Sequence, residues 1–319
     1  MNPNRPAPPI AWAAAAALFA AAAAAAPLAG AEQSPLFRSG VDLVNLGVTV
    51  ADRKGALVTA LSADDFQILE DGRPQAIRYF STGDTTAAAD APDLHVGVLL
   101  DVSGSMSDDI AFMRTASIRF LNMLSDAMDI TLVDFDTEVR VARYGQGDFP
   151  RVVERIRQQK LGAYTAMYDA VGVYLDGADG QDGRKVMLLY TDGGDTRSSL
   201  RFGDLMDLLK ASDVTLYAVG APNHGSAVAR AEQRMILQQM AEATGGQAYF
   251  PLSIKELDKV YARIEAEIRA QYTLGYVSTN AAADGRWRQV EIKVTSPSAR
   301  DVRVRARKGY FAPYRAAKP

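Results

Sequence analysis

The chain has 319 residues, 35 basic and 38 acidic side chains, and a formal net charge of -3. That length holds one large or two modest domains, and the mild acidity argues against nucleic acid as a partner, because phosphate binding wants a basic face. There is no cysteine, which excludes a disulfide framework and a lipoprotein-type lipid anchor.

Residues 1–31 read as a signal peptide. Arg5 gives a weakly basic start, Ile10 to Ala26 is an apolar alanine-rich stretch, and Ala29-Gly30-Ala31 is a small-x-small cleavage pattern. The rival reading is an uncleaved N-terminal anchor, the one case in which membrane contact is expected. Both readings place the protein outside the cytoplasm, periplasmic or secreted. Loss of these residues removes only Arg5, and no second long apolar run follows, so the mature part is expected to be soluble.

The next stretch, residues 36–82, offers short strands at Val41 to Val50, Ala56 to Thr59, Phe66 to Leu69 and Ile77 to Phe80. Gly55 and Glu70-Asp71-Gly72-Arg73-Pro74 punctuate them as turns. Residues 83–92 belong to a linker rich in Thr, Ala and Asp that starts near Ser81. From residue 93 the pattern changes. Val96 to Leu100, Val186 to Tyr190 and Val214 to Val219 are continuous apolar runs, the mark of strands buried on both faces.

Between these runs the spacing predicts helices over Asp108 to Ala127, Arg151 to Gln158, Ala166 to Leu175, Leu200 to Lys210 and Ala227 to Ala243. Strands are expected at Ile130 to Phe135, at Val139 to Ala142 paired to it, and at Gln247 to Phe250 on an edge. A last helix is marked by a capping box of Ser253 and Glu256 and by apolar positions at Leu257, Val260, Tyr261, Ile264 and Ile268. It closes an α/β unit over 93–270, with a doubly wound, mostly parallel sheet covered on both faces.

Residues 271–314 return to strands, at Tyr272 to Val277, Val290 to Thr295 and Val302 to Arg307, with Asp284-Gly285 as a hairpin signal. Neither flank offers much core alone. Together they make one small antiparallel β-sandwich into which the α/β unit is inserted; the alternative is two separate β appendages.

Chemistry concentrates in His95-Val-Gly-Val-Leu-Leu-Asp-Val-Ser-Gly-Ser-Met106. The strand ends at Asp101, and Ser103 and Ser105 follow at two-residue spacing, so one carboxylate and two hydroxyls meet in a short loop. That is a hard-oxygen cup for a small divalent cation such as Mg2+. Thr165 precedes a helix and Asp192 follows the strand Val186 to Tyr190, so both fall at the carboxyl edge of the sheet, where open α/β sheets gather ligands.

Asp101-Val-Ser103-Gly-Ser105, Thr165 and Asp192-Gly193 resemble the metal-ion-dependent adhesion site (MIDAS) of von Willebrand factor type A (VWA) domains. The resemblance implies a Rossmann-like VWA domain over 93–270. It also implies a Mg2+ ion, with Mn2+ or Ca2+ as alternatives, held by Ser103, Ser105 and Thr165, with Asp101 and Asp192 binding directly or through water. The flanks, through Val41 to Val50, Leu61 to Phe66, Glu70 to Gln75, Gln271 to Tyr276 and Arg307 to Tyr310, resemble bacterial exported VWA-related proteins with β segments at both ends.

Blander readings stand beside these. Asp108 and Asp195 suit helix capping better than ligation. His95 and His224 suit packing or solvation. Arg303, Arg305 and Arg307 alternate with Val302, Val304 and Ala306 as on a half-exposed strand. Met113, Met123 and Met128 suit a core, and Trp287 suits packing beside a strand.

The function expected is a non-enzymatic module that takes an Asp or Glu carboxylate of a partner protein at the metal, with no small-molecule substrate. The alternatives are a passive envelope component stabilised by metal, and a metal- or serine-dependent hydrolase. The hydrolase lacks a histidine near Ser103 and a Gly-x-Ser-x-Gly elbow.

Overall fold

A computed structural model describes residues 43–83, 92–221, 226–297, 299 and 301–314. The segment read as a signal peptide, most of the linker and His224 lie outside them. The N-terminal flank supplies β1 (Leu43–Ala51), β2 (Phe66–Glu70), β3 (Arg73–Gln75) and β4 (Ile77–Ser81). The α/β part begins with β5 (Leu94–Asp101), α1 (Ile110–Met123), β6 (Asp129–Phe135), β7 (Val139–Gly145), α2 (Phe149–Gln158) and α3 (Met167–Ala178). It continues with β8 (Arg184–Thr191), α4 (Phe202–Ala211), β9 (Thr215–Gly220), α5 (Ala227–Ala243), β10 (Gln247–Tyr249) and α6 (Ile254–Ala270). The C-terminal flank adds β11 (Tyr272–Val277), β12 (Trp287–Val294), β13 (Arg303–Arg305) and β14 (Gly309–Phe311).

The central sheet has the order β10-β9-β8-β5-β6-β7, parallel except for β7, which runs antiparallel to β6. Every residue of β5 is buried, as its unbroken apolar run requires. Val96, Val98 and Leu100 face one layer, where Phe120 of α1 meets Tyr261 of α6 with ring centroids 5.2 Å apart. Leu99 faces the other, with α3, α4 and α5. Gly97 lies under the ring of Tyr174, so a β-carbon there would sit 2.2 Å from the ring. The apolar-run signal for a doubly wound α/β domain is borne out.

The two flanks interleave. One sheet has the order β13-β1-β11-β4 and the other β14-β12-β2-β3, each mixing N- and C-terminal strands. Leu46, Val48, Ile68, Tyr272, Leu274 and Val290 share one core between them. The flanks therefore form one antiparallel sandwich and not two appendages.

Several local expectations change. Ala56 to Thr59 is not a strand; the Asp52 side chain takes the N–H groups of Lys54 and Ala56 and turns the chain at Gly55, leaving a single bridge from Leu57 to Ala51. The turn after β2 is only Asp71-Gly72, both at positive φ, and Arg73 to Gln75 already belong to β3. Asp284-Gly285 closes no hairpin, because β11 and β12 lie in opposite sheets. Met113 is core, whereas Met128 lies beyond the end of α1 and is exposed.

The basic C-terminal strand is also not the half-exposed face its alternation predicts. Arg305 bonds Gln247 and Glu267, and Arg307 donates to the carbonyls of Ser212 at 3.1 Å and Asn45 at 2.7 Å. Glu267, on α6, is fully buried and also takes Arg263 Nε at 2.7 Å, while Arg263 Nη1 reaches the Gly55 carbonyl at 2.6 Å. These arginines fasten the sandwich to the α/β part.

Candidate metal centre

Asp101 ends β5, and Thr191 ends β8, the neighbouring strand from which the chain continues to the other side of the sheet. The site therefore occupies the switch point of the sheet, at its carboxyl edge. Asp101 is fully buried. Its Oδ1 accepts the Ser103 N–H at 2.9 Å and its Oδ2 accepts the Thr191 hydroxyl at 2.6 Å. Ser103 is buried with its Oγ 3.1 Å from Ser105 Oγ, and Gly104–Met106 form a 3-10 turn that leads into α1.

A second loop is pinned against the first. The Gly162 N–H donates to the Val102 carbonyl at 2.7 Å, between Asp101 and Ser103. Glycine is required at 162, since a β-carbon would lie 2.1 Å from Asp136 Oδ2. Thr165 is buried at the end of this loop; its N–H donates to Thr196 Oγ1 at 3.0 Å, and its carbonyl accepts the N–H groups of Thr196 and Arg197. The third segment starts at Asp192, whose Oδ1 accepts the Gly194 N–H at 2.8 Å. Gly193, at φ +89°, lets that turn pass against the backbone of Gln233 on α5.

The structure thus brings Asp101, Ser103, Ser105, Thr165 and Asp192 to one end of the sheet on three mutually bonded segments. Burial pushes the Asp101 carboxyl up to about 6; the bonds from Ser103 and Thr191 oppose the rise and the nearby Asp192 charge adds to it. Both groups bonded to Asp101 are neutral donors, so its charge has no hydrogen-bonded cation beside it. Two carboxylates and three hydroxyls suit a hard cation, and a cation would relieve that buried charge. Among the described residues, no three His, Cys, Asp or Glu side chains group to hold a metal, so hydroxyls are needed to complete any such site here.

Residues that sequence reasoning missed do the positioning. Thr191, the last residue of β8, holds Asp101 through its hydroxyl. Asp195 caps α3, accepting the Tyr168 N–H at 2.9 Å and the Ser198 hydroxyl at 2.6 Å, as the capping reading expects. Asp108 is exposed in the turn before α1. His95 is structural. It sits at the other end of β5, with Nδ1 2.9 Å from Asp129 Oδ2 and Nε2 2.9 Å from the Asp182 carbonyl. Six residues of strand, about 20 Å, separate it from Asp101.

A mostly parallel sheet layered by helices, with polar loops at its carboxyl edge, defines a Rossmann-like domain. The profile of the von Willebrand factor type A domain matches residues 95–263, and the chain belongs to that family. No curated protein matches the chain. Among solved structures it is similar to the PilB minor pilin from Streptococcus sanguinis, at 12% identity and a TM-score of 0.48, over 57% of this chain and 62% of the pilin. It is also similar to the pilus adhesin SpaC from Lactobacillus rhamnosus GG, at 11% identity and a TM-score of 0.48, over 78% of this chain and 48% of the adhesin. A von Willebrand factor type A protein from Catenulispora acidiphila is similar at 14% identity and a TM-score of 0.45, over 87% and 75% of the two chains. Among the described residues no helix is long and apolar enough to cross a membrane.

Proposed function

We propose that the chain is an exported, non-enzymatic binding module that captures an Asp or Glu carboxylate of a partner protein through Mg2+ held at Asp101, Ser103, Ser105, Thr165 and Asp192. The observation that carries this reading is the buried Asp101 carboxylate, bonded only to neutral donors and surrounded by hydroxyl-bearing loops. When bound, the ion supplies a positive centre with a coordination position for an incoming carboxylate. The chain's own residues supply the rest. Thr191 and the Ser103 N–H orient Asp101, the Gly162–Val102 bond fixes the Thr165 loop, and Gly193 lets Asp192 approach.

The non-enzymatic part of the reading is supported by the surroundings of Ser103, whose hydroxyl is bonded to Ser105 while His95 is committed to Asp129. Export rests on the N-terminal sequence pattern alone.

The test is thermal unfolding of wild type and Asp101→Ala in Mg2+, Mn2+ or EDTA. A ligand at 100 times its Kd stabilises by about 2.7 kcal/mol, a shift of several degrees or less for a chain of this size. The expected result is a metal-dependent rise in Tm for wild type that the variant lacks. No rise for wild type at millimolar metal overturns the reading. A rise without Mg2+-dependent capture of any acidic peptide favours the stabilised envelope component instead.

A further inference from the structure

At the amino edge of the central sheet, opposite the metal centre, the starts of β8, β9 and β11 surround a cavity of about 20 Å3. Arg184, Lys185, Asp213, Thr215, Gln271 and Thr273 stand in its wall. It has room for one occupant of about the size of a water molecule.

The wall carries more positive charge than it matches. Lys185, only 8% exposed, sets two of its three N–H groups on Asp213, whose Oδ1 and Oδ2 are each 2.8 Å away. Those two charges cancel. Arg184 is left over. Its Nη1 donates to the Ile268 carbonyl at 2.9 Å, its Nε is buried without a partner, and it has no ion pair among the described residues. Arg307 is tied to the same wall through the carbonyls of Ser212 and Asn45, and its Nε is also buried without a partner. Burial holds both guanidiniums below the usual arginine range. The other acids of this edge are committed or face water: Asp126 is bonded to Arg269, Asp129 to His95 and Arg143, and Asp93 and Asp182 are exposed. Three cations thus share one carboxylate.

Unused donors accompany that charge. Thr273 is 8% exposed with its hydroxyl unpartnered, the third N–H of Lys185 is free, and Gln271 Nε2 reaches only Thr215 Oγ1 at 3.3 Å. An anion answers both needs, a counter-charge and an acceptor, where water answers only the second. The volume excludes phosphate, sulfate and any ligand that carries a carboxylate.

We propose that the cavity is a halide site, and that chloride held by Arg184, Lys185 and Thr273 joins the start of β8 to the start of β11. The bound ion fastens the sandwich to the α/β part beside Gln271, the single residue between α6 and β11. It is independent of the metal centre, which occupies the other end of the strands.

The experiment is thermal unfolding of the full chain in EDTA at constant ionic strength, with sodium gluconate replaced stepwise by sodium chloride. It is run on wild type, Thr273→Val and Arg184→Met. Gluconate is too large for the cavity, so the wild-type Tm is expected to rise by a few degrees as chloride replaces it. Thr273→Val keeps the branched shape and loses the hydroxyl, and is expected to need about tenfold more chloride for the same rise. Arg184→Met is expected to show no rise; if it does not fold, Thr273→Val decides alone. Crystals grown in sodium bromide are expected to show an anomalous peak between Arg184 and Thr273. Equal wild-type Tm in the two salts overturns the proposal and leaves the cavity to water. A rise that the variants share unchanged, or a bromide peak found only elsewhere, overturns it as well.

Discussion

Asp101 concentrates the physics of the centre in one side chain. Its carboxyl is held near 6 in the metal-free fold against 3.8 as the ordinary value, chiefly by burial. Between those two values the folded chain keeps a proton that the unfolded chain has released. Metal-free stability therefore falls as pH rises from about 4 to about 6, by up to about 3 kcal/mol, and then levels. Asp101→Asn is expected to remove that part of the pH dependence, which urea unfolding of both proteins between pH 4 and 7 measures. A constant difference between the two curves means that Asp101 bears no uncompensated charge. Because a metal competes with the same proton, the rise in Tm with Mg2+ is expected to grow from pH 5 to pH 7. At this scale the sequence was informative where chemistry is local. Asp101, Ser103 and Ser105 announce themselves by spacing within one turn. Thr191 and Thr196 did not, because each acts across to a strand or loop far away in sequence, and a lone hydroxyl has no spacing to give it away.

Among the elements, α6 shows how periodicity succeeds and where it stops. Leu257, Tyr261, Ile264 and Ile268 recur at helical spacing and are buried as that spacing requires. Ser253 accepts the Glu256 N–H at 3.2 Å, while the Glu256 carboxylate takes the N–H of Leu252 at 2.7 Å. The other face of the helix carries Glu267, which no apolar pattern flags. Glu267→Ala leaves Arg263 and Arg305 without their shared carboxylate, and about 3–5 kcal/mol of stability is expected to be lost in urea unfolding. Glu267→Gln, which keeps the volume and a hydrogen-bonding oxygen, is expected to lose less. Equal and small losses from both would show that the ion pairs contribute little beyond packing. The same contact explains the misread strand. Alternating Arg and Val suggests one wet face only while the element opposite is unknown, and here that element is α6. β14 escaped notice because three residues are too few to show any period.

Across the whole molecule, sequence order and spatial order diverge. The strands that occupy the middle of the sandwich sheets are β1 and β11 in one and β12 and β2 in the other, so each flank is completed by the other. A chain ended after Ala270 keeps β1 to β4 without β11 or β12. It is expected to lose protection in the N-terminal flank first, with trypsin cutting at Arg53, Lys54 and Arg78 before it reaches the α/β part. Continued resistance of 43–81 in that truncated chain would mean the N-terminal flank is a stable unit by itself. The flanks' short strand signals were legible, and the pairing of residues more than 200 positions apart, such as Leu46 with Leu274, was an inference from their poverty of core.

One feature of the sandwich bears on mechanics. The chain leaves the sandwich from β4 and re-enters it at β11 after the single residue Gln271, and these two strands are hydrogen-bonded neighbours with Ser81 opposite Thr273. Entry and exit of the α/β part thus lie one strand spacing apart, about 4.8 Å. A pull applied between the outer strands of the flanks passes through the sandwich ladders and goes around the α/β part as a short circuit bypasses a lamp. Tension that would stretch a domain strung in series along the chain leaves the loops at the sheet edge unloaded until the β4–β11 pairing itself shears.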